Sequence, residues 1–223
     1  MPDGQYSFYL HSDDRTDIAA MATISTISQP LRAEFIRTAA TAGAVVYQVD
    51  ARLPALIPVF FAGQLSAVRL CAVMALVSGT WSSLTGLPDE PENGEAALPV
   101  SPETEYQRRR YTLTLQNGRS GERVESVLTE ASSRLRGDLL RNLIITGLAL
   151  HTTAPELPRL LASMPVPPTS VSELQALVQQ MAGTADVNRA AAAVPDTPAA
   201  SAAPVSGADT REIKKNMRRA FGD

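Results

Sequence analysis

The chain contains a single cysteine, Cys71, among its 223 residues. A disulfide framework and a thiolate metal site are therefore excluded. Cys71 lies in the apolar run Leu70-Cys71-Ala72-Val73-Met74-Ala75-Leu76-Val77, where a buried structural thiol is expected rather than a nucleophile. Aromatic residues are scarce, at 5% against 44% hydrophobic. A core is available, but it must be built from Ala, Leu and Val, which favours packed helices over a large aromatic-rich sheet. The two histidines, His11 and His151, stand singly beside apolar segments and are expected to pack or sit at the surface. No Gly-rich phosphate loop, zinc spacing or nucleophile elbow occurs. Neither catalysis nor a cofactor or metal is expected. The longest apolar stretch, residues 53–77, is broken by Pro54, Pro58, Gln64 and Arg69 and makes a poor membrane span. The first residues, Met1-Pro2-Asp3-Gly4-Gln5, lack the basic and apolar regions of a signal peptide. A soluble, cytoplasmic protein is expected.

Net positive charge is also missing: the balance is −3 at pH 7. The total hides an asymmetry. Residues 1–100 carry five Arg and ten Asp or Glu, whereas residues 106–165 carry nine Arg and five acids. The basic surface belongs to one module. Within it, Arg108-Arg109-Arg110-Tyr111-Thr112-Leu113-Thr114-Leu115-Gln116 alternates as a strand. Tyr111, Leu113 and Leu115 share one face, and Arg108, Arg110, Thr112, Thr114 and Gln116 share the other. The second face offers donors, acceptors and charge with no bulky apolar group. A two-stranded ribbon bearing it fits the major groove of DNA. One strand needs a partner strand and helices behind it.

Tyr6-Ser7-Phe8-Tyr9-Leu10 alternates likewise, with Tyr6, Phe8 and Leu10 inward and Ser7, Tyr9 and His11 outward. Asp13 or Asp14 suits a turn or helix cap. Ile18, Met21, Ala22, Ile24 and Ser25 have near-helical spacing. Pro30 is acceptable in the first turn of a new helix, whose stripe is Leu31, Phe35, Ala39, Ala42 and Val46. Pro54 and Pro58 mark breaks or starts, and residues 64–78 read as another helix. After residue 106 the grammar returns. Asn117-Gly118 is a turn signal. Ser120 is expected to cap a helix with the stripe Val124, Val127, Leu128 and Ala131, and Ser132 or Ser133 to cap the next, with Leu135, Leu139, Leu143, Ile144 and Leu148. Pro155 starts a short helix. Ser170-Val-Ser-Glu173 is a capping box ahead of Leu174, Leu177, Val178 and Met181.

Arg37 and Gly43 stand opposite Arg141 and Gly147, Leu53-Pro54 opposite Leu157-Pro158, and Leu31-Arg32 opposite Leu135-Arg136, all 104 residues apart. The strands align with one residue of slippage. An internal duplication is expected. The fold class is mainly α with short β-strands: tandem ribbon-helix-helix-like modules, a flexible linker and a short C-terminal helix. The boundaries are 1–85 for a degenerate first repeat, 86–105 for a linker, 106–182 for the DNA-binding module, 183–208 for a disordered linker and 209–223 for a partner-binding helix. The Ala/Pro/Ser/Gly-rich linker has little to bury. In the terminal segment Ile213, Met217 and Phe221 share a helical face surrounded by Lys214, Lys215, Arg218 and Arg219. A short tethered helix of this kind suits docking into a groove on a partner protein.

The basic strand has a plainer reading, an edge strand protected by charge. The arginines, however, cluster on one strand face, and Ser132, Ser133, Arg134 and Arg136 lie at the next helix start. A helix N-terminus binds phosphate, so the strand would read bases while these four clamp the backbone.

Arg109-Arg-Tyr-Thr-Leu-Thr-Leu115, Leu135-Arg-Gly-Asp-Leu-Leu-Arg141, Thr146-Gly-Leu-Ala-Leu150 and Glu212-Ile-Lys-Lys-Asn-Met217 resemble ParR, also called StbB, the ribbon-helix-helix adaptor of actin-like plasmid partition systems. The resemblance covers residues 106–223. It implies a dimer whose paired strands enter the major groove of centromere-like repeats. Several dimers form an array, and C-terminal helices engage an actin-like ParM filament. Arg108, Arg110, Thr112 and Thr114 become the DNA face, and Ile213, Met217 and Phe221 the filament anchor. Repression of its own operon is also implied. The first hundred residues depart from the family, whose chains carry one such module. Either strand 6–10 pairs with 111–115 in the same chain, which tethering favours, or C-terminal modules pair between chains. A repressor without a partition role and an interaction scaffold that binds no DNA are the alternatives.

Overall fold

The computed structural model describes residues 4–80 and 107–192, with side chains described as far as residue 183. The expected linker 86–105 and the partner-binding segment 209–223, with Ile213, Lys214, Lys215, Met217, Arg218 and Phe221, lie outside the described residues. The chain divides into a compact unit, Met1–Asp186, and a second, Val187–Asp223.

Its elements come in two sets. The first is β1 (Gln5–His11), α1 (Arg15–Ser25), α2 (Gln29–Val49), α3 (Leu53–Phe60) and α4 (Ala67–Ser78). The second is β2 (Arg108–Thr114), α5 (Arg119–Glu130), α6 (Arg136–Thr153), α7 (Leu157–Ser163) and α8 (Val171–Ala192). The protein is thus mainly helical with one short two-stranded sheet, as the sequence implied. α8 runs nine residues past Gly183, into the segment expected to be a flexible linker.

Hydrogen bonds repeat between the sets at the same 104-residue interval. Arg32 Nε donates to the Ile27 carbonyl at 2.8 Å, and Arg136 Nε to the Ala131 carbonyl at 3.2 Å. Thr16 Oγ1 donates to the Pro58 carbonyl, and Ser120 Oγ to that of Ala162. Ser66 Oγ accepts from the Arg69 amide at the start of α4, and Ser170 Oγ from the Glu173 amide at the start of α8. Chance likeness of Ala/Leu helices does not reproduce such bonds, so the chain is a structural duplication.

The two sets close on each other. β1 pairs antiparallel with β2 in the register Phe8↔Tyr111 and Ser7↔Thr112, so the strand pairing is intramolecular. Here the interval is 105: half-buried Tyr6 corresponds to half-buried Tyr111, and buried Phe8 and Leu10 to buried Leu113 and Leu115. The one-residue slip is real. It is absorbed before the helices: four residues lie between Leu10 and the start of α1, but three between its counterpart Leu115 and the start of α5.

Behind the ribbon α2 packs on α6. Residues 39–46 of α2 and their counterparts 143–150 of α6 are buried without a break, as befits helices covered on all sides. The close approach needs glycine. A Cβ on Gly43 would run into the Leu143 carbonyl oxygen, and one on Gly147 into that of Ala39. Each glycine therefore meets the backbone of the other half at equivalent positions. At the far end, Cys71 of α4 is buried. Burial pushes its thiol pKa up, while Gln179 and Gln175 of α8 pull it back; the expected structural role holds.

Some helix details differ from expectation. The buried face of α1 is Asp17, Ala19, Ala20 and Ile24, with Ala22 exposed, because Asp17 turns inward to a partner described below. Leu31 and Leu135 are exposed, since both stand at helix starts beyond the buried stripes. Ser120 does not cap α5. Gly118 does, with φ +132°, and Ser120 instead donates to Ala162. Neither Ser132 nor Ser133 caps α6: its cap position is Leu135, with no side-chain hydrogen bond. α7 begins at Leu157, two residues after Pro155, with Pro158 in its first turn. Asp14 does cap α1, and at α8 the Glu173 carboxylate accepts from the Thr169 amide and hydroxyl while Ser170 Oγ accepts from the Glu173 amide.

Candidate nucleic-acid interface

The outward side of the ribbon is defined by strand parity and pairing. It presents the cross-strand pairs Gln5·Thr114, Ser7·Thr112, Tyr9·Arg110 and His11·Arg108. Arg108, Arg110, Thr112 and Thr114 are all exposed there. The inward side carries Tyr6, Phe8, Leu10, Tyr111 and Leu113, with Phe8 and Tyr111 stacked at 5.3 Å between ring centroids. Arg109 shares the inward parity, yet it reaches solvent at the ribbon end, 5.3 Å from the Tyr111 ring.

Two contacts hold the outward arginines in place. The Arg108 guanidinium lies over the Tyr9 ring, 3.5 Å from its centroid. Such a cation–π contact contributes about 0.5–1 kcal/mol at an exposed site. Arg110 Nε and Nη2 both donate to Ser7 Oγ, at 3.2 and 2.9 Å. Each arginine thus leans diagonally across the ribbon toward its middle. Ser7 and Tyr9 were not among the candidate residues. Their alternation already put them outward, and intramolecular pairing is what sets them beside the arginines.

Gln116 falls two residues beyond β2. It is exposed and lines a cleft of about 250 Å³ with Arg37, Ser120 and Arg159. Ser132, Ser133 and Arg134 are exposed in the turn before α6. Arg136 is half-buried and tied to Ala131, so its guanidinium shapes the turn. The first turn of α6 adjoins the ribbon: a Cβ on Gly137, the second residue of α6, would lie 3.5 Å from the Ser7 carbonyl oxygen. The structure therefore brings the strand residues and the helix start together, and sets Gln116 apart.

A buried ion pair braces this arrangement. Asp17 is fully buried in α1; its Oδ1 accepts from Arg141 Nε at 2.6 Å and lies 2.6 Å from Nη2 of the same guanidinium. Its other oxygen accepts from the His11 amide at 2.9 Å. Arg141 also reaches Asp14 at 3.2 Å. Burial pushes the Asp17 pKa up, and the Arg141 guanidinium and His11 amide pull it partly back. The end of β1 is fixed to α6 through this carboxylate. Sequence reasoning missed it, because the partners are 124 residues apart and nothing local marks them.

His151 packs edge-on against Phe35 at 4.9 Å, as a packing histidine does. Among the described residues no group of three or more His, Cys, Asp or Glu could hold a metal ion. Among them also, no helix is long and apolar enough to cross a membrane.

Against known families, residues 4–74 and 109–178 match the plasmid stability protein model. The chain belongs to the plasmid stability protein family. A role in plasmid maintenance comes with that membership. The two matched segments begin 105 and end 104 residues apart, the intervals found for the strands and for α4 and α8. The family match therefore follows both structural copies, the acidic first one included. No curated protein and no solved structure matches the chain.

Proposed function

We propose that the protein is a DNA-binding adaptor of plasmid segregation. In this reading the β1–β2 ribbon enters the major groove of double-stranded, centromere-like repeats. The observation that carries it is the outward ribbon face, where Arg108 and Arg110 stand with Thr112 and Thr114 on a two-stranded antiparallel ribbon. Arg pairs with guanine O6 and N7, and threonine reaches bases or the thymine methyl. The exposed Ser132, Ser133 and Arg134, in the turn before α6, would meet phosphate. Arg136 is given a supporting part, since it is bound within the turn.

The segment 209–223, with its Ile213, Met217 and Phe221 face and its Lys214, Lys215 and Arg218 rim, would engage an actin-like ParM filament. Occupation of the same DNA would repress the operon. No cofactor is needed for either task. The adaptor would work in the cytoplasm, self-associating into an array from units that each supply a complete ribbon. A footprint on the DNA flanking the gene, repeated with the partner ATPase present, tests this. Protection of spaced repeats, extended or altered by the ATPase, is expected. An unprotected flank removes the DNA-binding reading, and protection indifferent to the ATPase leaves only the repressor.

A further inference from the structure

We propose that the ribbon recognises a double-stranded DNA element without two-fold symmetry, and that the protein sits on it in one orientation. The inference rests on the reading of the ribbon as a DNA-binding face. A symmetric dimer presents each outward residue twice, once in each half, and so matches a palindrome. Here the two-fold relation survives on the inside of the ribbon and is broken on the outside.

The 105-residue relation maps Tyr6 onto Tyr111, Phe8 onto Leu113 and Leu10 onto Leu115, so the packed face keeps its character. The same relation maps Gln5 onto Arg110, Tyr9 onto Thr114 and His11 onto Gln116. Only the central pair, Ser7 and Thr112, keeps its chemistry, a hydroxyl on each strand. The charge is therefore polarised along the ribbon. One end carries Arg108 and Arg110 with Tyr9 and His11; the other carries Gln5 and Thr114.

The terminal pairs are six residue steps apart, about 20 Å at roughly 3.4 Å per residue. With bases about 3.4 Å apart along a strand, the two ends face different base pairs. The arginine end favours guanine, and the Gln5 end favours adenine. A palindrome offers the same base pairs to both ends and satisfies only one. An element with guanine toward one end and adenine toward the other satisfies both, and only in one direction.

The test is selection of the full chain on a library of random 20-base-pair duplexes, with the mass of the selected complex giving the chains per site. The expected motif is not its own reverse complement and holds one chain. Arg110→Ala relaxes its guanine end, and Gln5→Ala its other end. Gln5→Arg with Tyr9→Thr, folded by circular dichroism, shifts selection toward an inverted repeat. A one-chain site that is a palindrome overturns the inference, as does relaxation of the same end by both alanine variants. Retention that depends on salt but enriches no motif overturns it too, while sparing DNA binding. No retention at all removes DNA binding itself.

Discussion

Arg141 of the second copy is clamped on Asp17 of the first, a 2.6 Å hydrogen bond from Nε and a 2.6 Å ion-pair contact from Nη2 joining its guanidinium to a fully buried carboxylate. The duplication does not repeat the pair: the residues at the corresponding positions are Arg37 and Gly121. Arg37 turns instead to Glu34, at 2.6 Å on the surface.

Arg141→Ala leaves the Asp17 carboxylate buried and unpaired. Breaking such a pair costs about 3–5 kcal/mol, and the low end is expected here because Arg141 is partly exposed. Urea denaturation at pH 7 reads the loss. Since burial raises the Asp17 pKa in the fold, the native state takes up this proton before the unfolded chain does. The stability linked to that proton is present at low pH and lost as pH rises through the raised value. The Arg141→Ala defect should therefore shrink as pH is lowered toward the ordinary carboxylate range. A defect that grows on acidification contradicts the account.

Gly147→Ala forces a methyl group into the Ala39 carbonyl. Backbone cannot swing aside as a side chain does, so the cost should reach or exceed the roughly 1–3 kcal/mol of ordinary overpacking. Gly183→Ala is the control. Nothing lies near its added Cβ, and in a helix the change should stabilise by about 0.5–1 kcal/mol. Thermal melts of the two variants should move in opposite directions.

Arg110→Ala should weaken specific DNA binding by about 1–3 kcal/mol if the guanidinium meets a base edge. Binding by the unaltered chain should also fall as salt rises, because phosphate contacts release counterions. Affinity titrations at several salt concentrations check both. An unchanged affinity in the variant takes Arg110 off the interface.

Deletion of residues 209–223 should abolish plasmid segregation and spare binding to the DNA. Plasmid-loss assays beside a gel shift separate the two effects. Segregation that survives the deletion removes the filament anchor from Ile213, Met217 and Phe221.

The duplication was readable because its markers are local: Leu-Pro at a helix start and glycine at a helix crossing stay visible as spacing. The strand faces were readable for the same reason, since parity alone sorts Tyr111 from Arg110. The caps of α5 and α6 were not. Ser120, Ser132 and Ser133 have the right chemistry, but Gly118 and Leu135 occupy the positions where the chain turns. The inward turn of Asp17, and the pairing of Ser7 with Arg110, depend on residues more than a hundred positions away. Only the closed tertiary structure brings those together.

Both strands of the ribbon belong to one polypeptide. A homodimer's folded state is tied to the abundance of its protomers, and it comes apart when molecules are few. This ribbon has no such threshold on dilution: a lone molecule in a cell carries a finished one. A host can therefore keep expression very low without melting that surface.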